Sequence, residues 1–185
     1  MGLDDFLMRG INGLVYSWNY LTGGTKTDLA RILNGTAPIF EVSGGFCMTP
    51  ILGAIMIAVS TKLTQINWNS FKDQEADEGR ARNARARRNY GYDLENVVYG
   101  HFFSFCSLSN LLAANMSHPS SEVYNAKQEL GSLGSYSVAF GNGLRALSFY
   151  IMRADDIPPG KNILSRAYDY CTGNSLQRQT VAINR

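Results

Sequence analysis

Charge is scarce in this sequence. Asp, Glu, Lys and Arg together make up 17% of its 185 residues, where an ordinary globular protein carries about a quarter. A low charge fraction suits a surface partly covered by lipid or by other polypeptides. The net charge of +2 is too small to imply nucleic acid by itself. The three cysteines, Cys47, Cys106 and Cys171, are widely spaced and odd in number. That excludes a disulfide framework and a zinc site of the C-x-x-C kind, and leaves free or buried thiols as the expectation. The two histidines, His101 and His118, have no partner at metal-ligand or catalytic-triad spacing. HExxH, P-loop and GxSxG patterns are missing. Gly141-Asn142-Gly143 lacks the third glycine and the preceding strand of a nucleotide loop. No catalytic residue, metal or cofactor is expected. The opening MGLDDFL puts two aspartates where a signal peptide carries positive charge, so no cleavable signal is expected.

What stands out instead is the most apolar of the neutral runs. Residues 42–61, VSGGFCMTPILGAIMIAVST, lie between Glu41 and Lys62 without a formal charge. A helix crossing a membrane needs roughly 20 mostly apolar residues, and the length fits. The composition fits less well, because the first half holds Ser43, Gly44, Gly45, Thr49 and Pro50. The strongly apolar residues contribute only about 0.3–0.6 kcal/mol each to insertion. A lone span here is marginal. Two readings follow. Small residues can let neighbouring helices pack closely, so that the run spans a membrane inside a bundle. Alternatively, Pro50 is the first residue of a helix that starts in mid-run and is buried in a soluble core. The first is favoured, because 51–59 lacks the polar stripe of a soluble amphipathic helix. Phe46, Ile51, Leu52, Ile55, Met56, Ile57 and Val59 are the candidate membrane or interface residues.

Around this run the chain reads as helical throughout. Residues 3–22 repeat Phe6, Leu7, Ile11, Leu14, Val15, Trp18 and Leu21 at helical spacing. A short helix is expected over 27–33, capped by Thr25 or Thr27 and stopped at Asn34-Gly35. From Lys62 the pattern stays helical to about residue 89. Tyr90-Gly91-Tyr92 reads as a turn, followed by a helix over 94–115 whose neutral portion, 101–116, looks too polar and short to span. A last long helix is expected over 122–153, with a possible break at Gly141-Asn142-Gly143. The organisation is 1–41, amphipathic helices; 42–89, a hydrophobic helix continuing into a charged one; 90–156, a helical hairpin; and 157–185, a short helix and polar tail. The fold class is all-α: a helical bundle with one hydrophobic helix, a candidate for membrane insertion, and one long charged helix.

The sharpest local feature is the cluster Arg80, Arg82, Arg85, Arg87 and Arg88, which follows Asp73, Glu75, Asp77 and Glu78. On a helix these arginines fall all round the axis, which argues against a stripe tracking one nucleic-acid backbone. A charged helix standing in solvent is the plainest reading; lipid head groups or acidic groups on a neighbouring subunit come next, and DNA or RNA last. If 42–61 spans, the basic side faces the cytoplasm, with Lys62 onward inside and residues 1–41 outside. The function expected is that of a non-enzymatic structural subunit of a multi-subunit, membrane-associated assembly. Secretion or conjugation machinery, a pilus-like polymer or an accessory subunit of a larger complex would fit. Its partners would be other protein subunits, further copies of itself and membrane lipid. The alternative is a soluble helical coat or packaging protein that contacts nucleic acid through the arginine helix.

Overall fold

A computed structural model describes residues 3–81, 90–117 and 126–154. These form five helices: α1 (Leu3–Thr22), α2 (Lys26–Met48), α3 (Pro50–Ala81), α4 (Tyr90–Ser117) and α5 (Ala126–Met152). Among the described residues there is no strand, so the all-α bundle stands.

Local chemistry accounts for the boundaries. Gly23 takes φ 77°, a left-handed conformation that ends α1. Thr25 then opens α2 with a capping box. The Asp28 backbone N–H donates to Thr25 Oγ1 at 3.1 Å, and the Thr25 N–H donates to Asp28 Oδ2 at 2.8 Å. The expected stop at Asn34-Gly35 does not occur, because tertiary bonds occupy Asn34. Its Nδ2 donates to Thr64 O at 3.1 Å, and its Oδ1 accepts from Asn67 Nδ2 at 2.9 Å. The helix also passes through Pro38. Proline has no N–H to offer the carbonyl four residues earlier, and Thr64 Oγ1 lies 3.5 Å from that carbonyl, on Asn34.

The neutral run 42–61 is not one helix. Thr49 is extended, at φ −155° and ψ 148°. Its N–H donates to Gly45 O at 2.9 Å, closing α2, while its Oγ1 accepts from the Leu52 N–H at 3.1 Å, opening α3. Pro50 is the first residue of α3, where a missing N–H costs nothing. One residue therefore reverses the chain. The helix start at Pro50 is as the second reading has it, but residues 51–59 are mostly exposed rather than buried, and the boundary expected at residue 42 moves to Thr49. Gly45 and Gly53 allow the tight bend: a Cβ on Gly45 would lie 3.1 Å from Gly53 Cα.

The long charged helix is α3, with 32 residues, about 48 Å at 1.5 Å per residue. α4 begins at Tyr90, so the turn expected there is helical. α5 continues unbroken through Gly141-Asn142-Gly143, because Gly141 is pressed against α2.

α5 packs between α2 and α4, and α2 packs between α5 and α3. α1 touches α2 and α5 only locally, through a core that includes Ile11 and Val15. α2 and α5 run antiparallel with their backbones nearly touching. A Cβ on Gly134 would lie 2.6 Å from Gly44 O, and one on Gly141 would lie 2.9 Å from Ala37 O. Nearer the other end, Phe149 of α5 meets Phe71 of α3 edge-on at 5.1 Å and stacks with Phe103 of α4 at 5.9 Å. Gln74 and Asn96 exchange two side-chain hydrogen bonds, 2.9 and 3.2 Å, tying α3 to α4.

Two glycines one turn apart on α5 should respond oppositely to alanine. Gly131→Ala meets nothing within 4 Å and should stabilise by up to about 1 kcal/mol through helix propensity. Gly134→Ala drives a methyl group into the Gly44 carbonyl and should destabilise by about 1–3 kcal/mol. Thermal unfolding of the two variants, followed by circular dichroism, checks the pair.

Candidate functional site

The centre of the bundle is polar. Arg145 of α5 is fully buried. Its Nε donates to Glu41 Oε1 at 2.6 Å and its Nη2 to Glu41 Oε2 at 2.8 Å, a two-pronged ion pair with α2. Nη1 donates to Asn34 Oδ1 at 2.8 Å. Nη2 also lies within 3.0 Å of Ser60 O, Ser60 Oγ and Thr64 Oγ1 on α3. Ser60 Oγ donates in turn to Glu41 Oε2. One guanidinium thus gathers three helices around itself. Further out, Ser132 Oγ donates to Ala114 O at 2.8 Å, joining α5 to α4. Asn34, Asn67, Gln74, Asn96 and Ser148 are buried as well.

The outside is apolar. On α4, Leu94, Val98, Phe102, Phe105, Leu108, Leu112 and Met116 are exposed, Phe105 to 69% and Met116 to 86%. α4 over Leu94–Met116 is long and apolar enough to cross a membrane, and it is the one described helix that is. This corrects the sequence expectation twice. The candidate span lies here rather than in 42–61, and the segment set aside as too polar and short belongs to it. Its serines and Asn110 look polar in a list of residues, yet Ser104 Oγ donates to Gly100 O, Ser107 Oγ to Ala139 O and Asn110 Nδ2 to Cys106 O, each at 2.8 Å. Their polarity is spent on the protein's own backbone.

The predicted interface residues lie on one hairpin. Phe46 sits on α2, with Ile51, Leu52, Ile55, Met56, Ile57 and Val59 on α3. Phe46, Ile51, Ile55, Ile57 and Val59 are exposed, Ile51 to 75%, while Leu52 and Met56 are half-buried. The basic cluster is less visible: Arg80 falls in the last turn of α3, and Arg82, Arg85, Arg87 and Arg88 lie outside the described residues.

Sidedness also needs correcting. Lys26 Nζ donates to Glu78 Oε1 at 3.0 Å, and to the carbonyls of Met152 and Ala154 at the end of α5. Arg31 Nη2 lies 3.4 Å from Glu75 Oε2. The start of α2 and the end of α3 are therefore at the same end of the bundle. The residues before and after 42–61 cannot be separated by a membrane in the way a single span would require.

Sequence reasoning missed Glu41 and Arg145. A signal was available: each is the sole Asp, Glu, Lys or Arg within an otherwise neutral stretch, 32–48 and 130–152. Two shallow grooves mark the surface. One, of about 380 Å³, is lined mainly by Ser104, Leu108, Leu111, Gly143, Leu147 and Tyr150. The other, of about 500 Å³, is lined by Pro38, Thr61, Thr64, Gln65 and Trp68. Among the described residues no group of His, Cys, Asp and Glu is arranged to hold a metal ion. No family model, curated protein or solved structure matches the chain.

Removing one partner of the ion pair strands the other in the interior. Arg145→Met should destabilise by about 3–5 kcal/mol, and Arg145→Lys by less, because a lysine keeps the charge while losing the fork. A denaturation series on Arg145→Met, Glu41→Gln and the double variant should return a strong non-additive coupling. Additive effects would mean that the two residues do not act as a pair.

Proposed function

We infer that this chain is a bilayer-embedded helical bundle acting as a non-catalytic structural subunit of a larger assembly. The observation that carries the reading is the inverted distribution of polarity. The Glu41–Arg145 ion pair, amides and hydroxyls are buried beside an apolar core around Phe71, Phe103 and Phe149, while many isoleucines, leucines and phenylalanines of α3 and α4 are exposed. A soluble bundle places them the other way round. The belt can be bounded: residues 32–48, 50–71, 96–117 and 130–152 contain only Glu41, Lys62 and Arg145 as formal charges. Each stretch is about 25–35 Å long at 1.5 Å per residue, comparable with the roughly 30 Å hydrocarbon layer. The near-contact of α2 and α5 through Gly44, Gly134 and Gly141 is the packing that helices use where water cannot drive them together. A structural rather than catalytic role is supported by the closure of the polar cluster, whose central Arg145 is sealed from solvent.

The basic end gives the orientation. Lys26, Arg31 and Lys72 lie at the end of the bundle where Lys26 meets Glu78 and Gln74 meets Asn96, and Arg80 falls in the last turn of α3 there. By the positive-inside tendency that end faces the cytoplasm, and the Thr49 bend faces the other side. α1 meets the bundle at the basic end. Its exposed Phe6, Leu7, Tyr16, Tyr20 and Leu21 suit the head-group zone.

The protein should stay in the membrane pellet after alkaline carbonate and leave it only in detergent. A soluble monomer in plain buffer overturns the reading. In a background with the native cysteines replaced, Thr49→Cys and Lys72→Cys should react with a membrane-impermeant maleimide from opposite sides of sealed vesicles. Labelling of both from one side would show that the bundle does not cross.

A further inference from the structure

The belt contains three formal charges, and two of them neutralise each other. Glu41 and Arg145 are buried as a pair. The third, Lys62, is exposed, and its ammonium finds only Gln65 Oε1, at 3.3 Å on its own helix. Among the described residues it has no carboxylate partner. Its depth is fixed by its neighbours: Ser60 and Thr64, two residues to either side, are the α3 groups that contact Arg145. On α4 the same level is marked by Phe103, whose ring centroid is 5.9 Å from the Arg145 guanidinium carbon, and Phe103 lies well inside the Leu94–Met116 span. Lys62 is therefore near mid-depth. Its four-carbon stem is too short to bring the ammonium to either edge of a belt about 30 Å thick. A bare lysine at the centre of a spanning helix costs about 2.5–3.5 kcal/mol even on the most lenient scale.

Lys62 is also not alone. Thr61, Gln65 and Asn69 are exposed on the same helix, one or two turns apart. They form a polar stripe on α3, beside the exposed apolar residues Ile57, Val59 and Ile66 of the same helix. Thr61 and Gln65 line the groove beside Pro38 and Trp68, a concavity along the α2–α3 seam.

We propose that this stripe is the docking surface for a transmembrane helix of a different protein, one that carries an Asp or Glu at the depth of Lys62. Charge complementarity selects that occupant. Lipid chains offer nothing to an ammonium ion. A second copy of this chain brings another Lys62 and no free acid, because the belt's only carboxylate is already held by Arg145. The acid of the partner forms the ion pair, and Gln65, Thr61 and Asn69 add hydrogen bonds that fix the register. The proposal rests on the bilayer reading, and the two are separable by experiment.

The probe is a synthetic Leu/Ala-rich transmembrane peptide with one Asp at its centre, beside the same peptide with Leu there. Each is co-reconstituted with the full chain in phosphatidylcholine vesicles, and association is followed by fluorescence transfer. The Asp peptide should associate about ten-fold more strongly than the Leu peptide. Lys62→Leu should abolish the preference and Lys62→Arg should keep it. Equal association of the two peptides, or a preference that survives Lys62→Leu, overturns the pairing. So does transfer between two labelled copies of the chain that Lys62→Leu removes, since that would make the partner a second copy. Carbonate release of the chain from the vesicles would defeat the bilayer reading together with the pairing. Retention in the vesicles with no peptide preference defeats the pairing alone.

Discussion

The bundle is arranged around one guanidinium. Arg145 has more donors than any single acceptor can use, and in the interior each unused donor carries a heavy desolvation cost. The fold meets this by bringing Glu41, Asn34, Ser60 and Thr64 to it from two further helices. The requirement is geometric as well as electrostatic. The fork fixes the axial register of α2 against α5, and the Ser60 and Thr64 contacts fix α3 against both. Sliding any of these helices by a turn would break the pair. Buried ion pairs are weak sources of net stability, but they penalise misregistered alternatives severely. Such a device matters most where the rest of the helix surface is apolar and would otherwise permit many alignments.

The close approach of α2 and α5 belongs to the same arrangement. Glu41 is itself one of the groups that a Cβ on Gly141 would strike, with its Cγ 2.6 Å away. The small residue on α5 thus makes room for the acid that the arginine needs four residues later. The remaining polar residues of the interior serve similar local ends. Lys26 takes up carbonyls at the end of α5 that have no helical donor, and Thr64 stands beside the carbonyl that Pro38 leaves without one. Once these groups are absorbed, the surface is left to hydrophobic side chains, which is why α4 can be so exposed and so apolar together.

Much of this was legible from residue order. Periodicity gave the helical class and the amphipathic α1. Thr25 and Pro50 marked helix starts, while the exposed apolar face of α4 was passed over because its serines disguised it. Non-local effects were not legible. The stop at Asn34-Gly35 failed because Thr64, Asn67 and Arg145, all distant in sequence, hold Asn34 in place. Gly141-Asn142-Gly143 did not break α5 because α2 lies against it. The sequence-based span was misplaced because a run of neutral residues shows its length but not its reversal, and Thr49 looks like any other threonine until its three hydrogen bonds are seen. Glu41 and Arg145 stand more than a hundred positions apart, and only their isolation within neutral surroundings hinted at each other.

The bend at Thr49 constrains how the molecule is assembled. A joint of one extended residue, with its N–H, carbonyl and hydroxyl all committed, leaves little slack between the two helices. α2 and α3 therefore behave as a single folded-back unit. Glu41 lies beside Ser60 within that unit, and α5 brings its counter-charge.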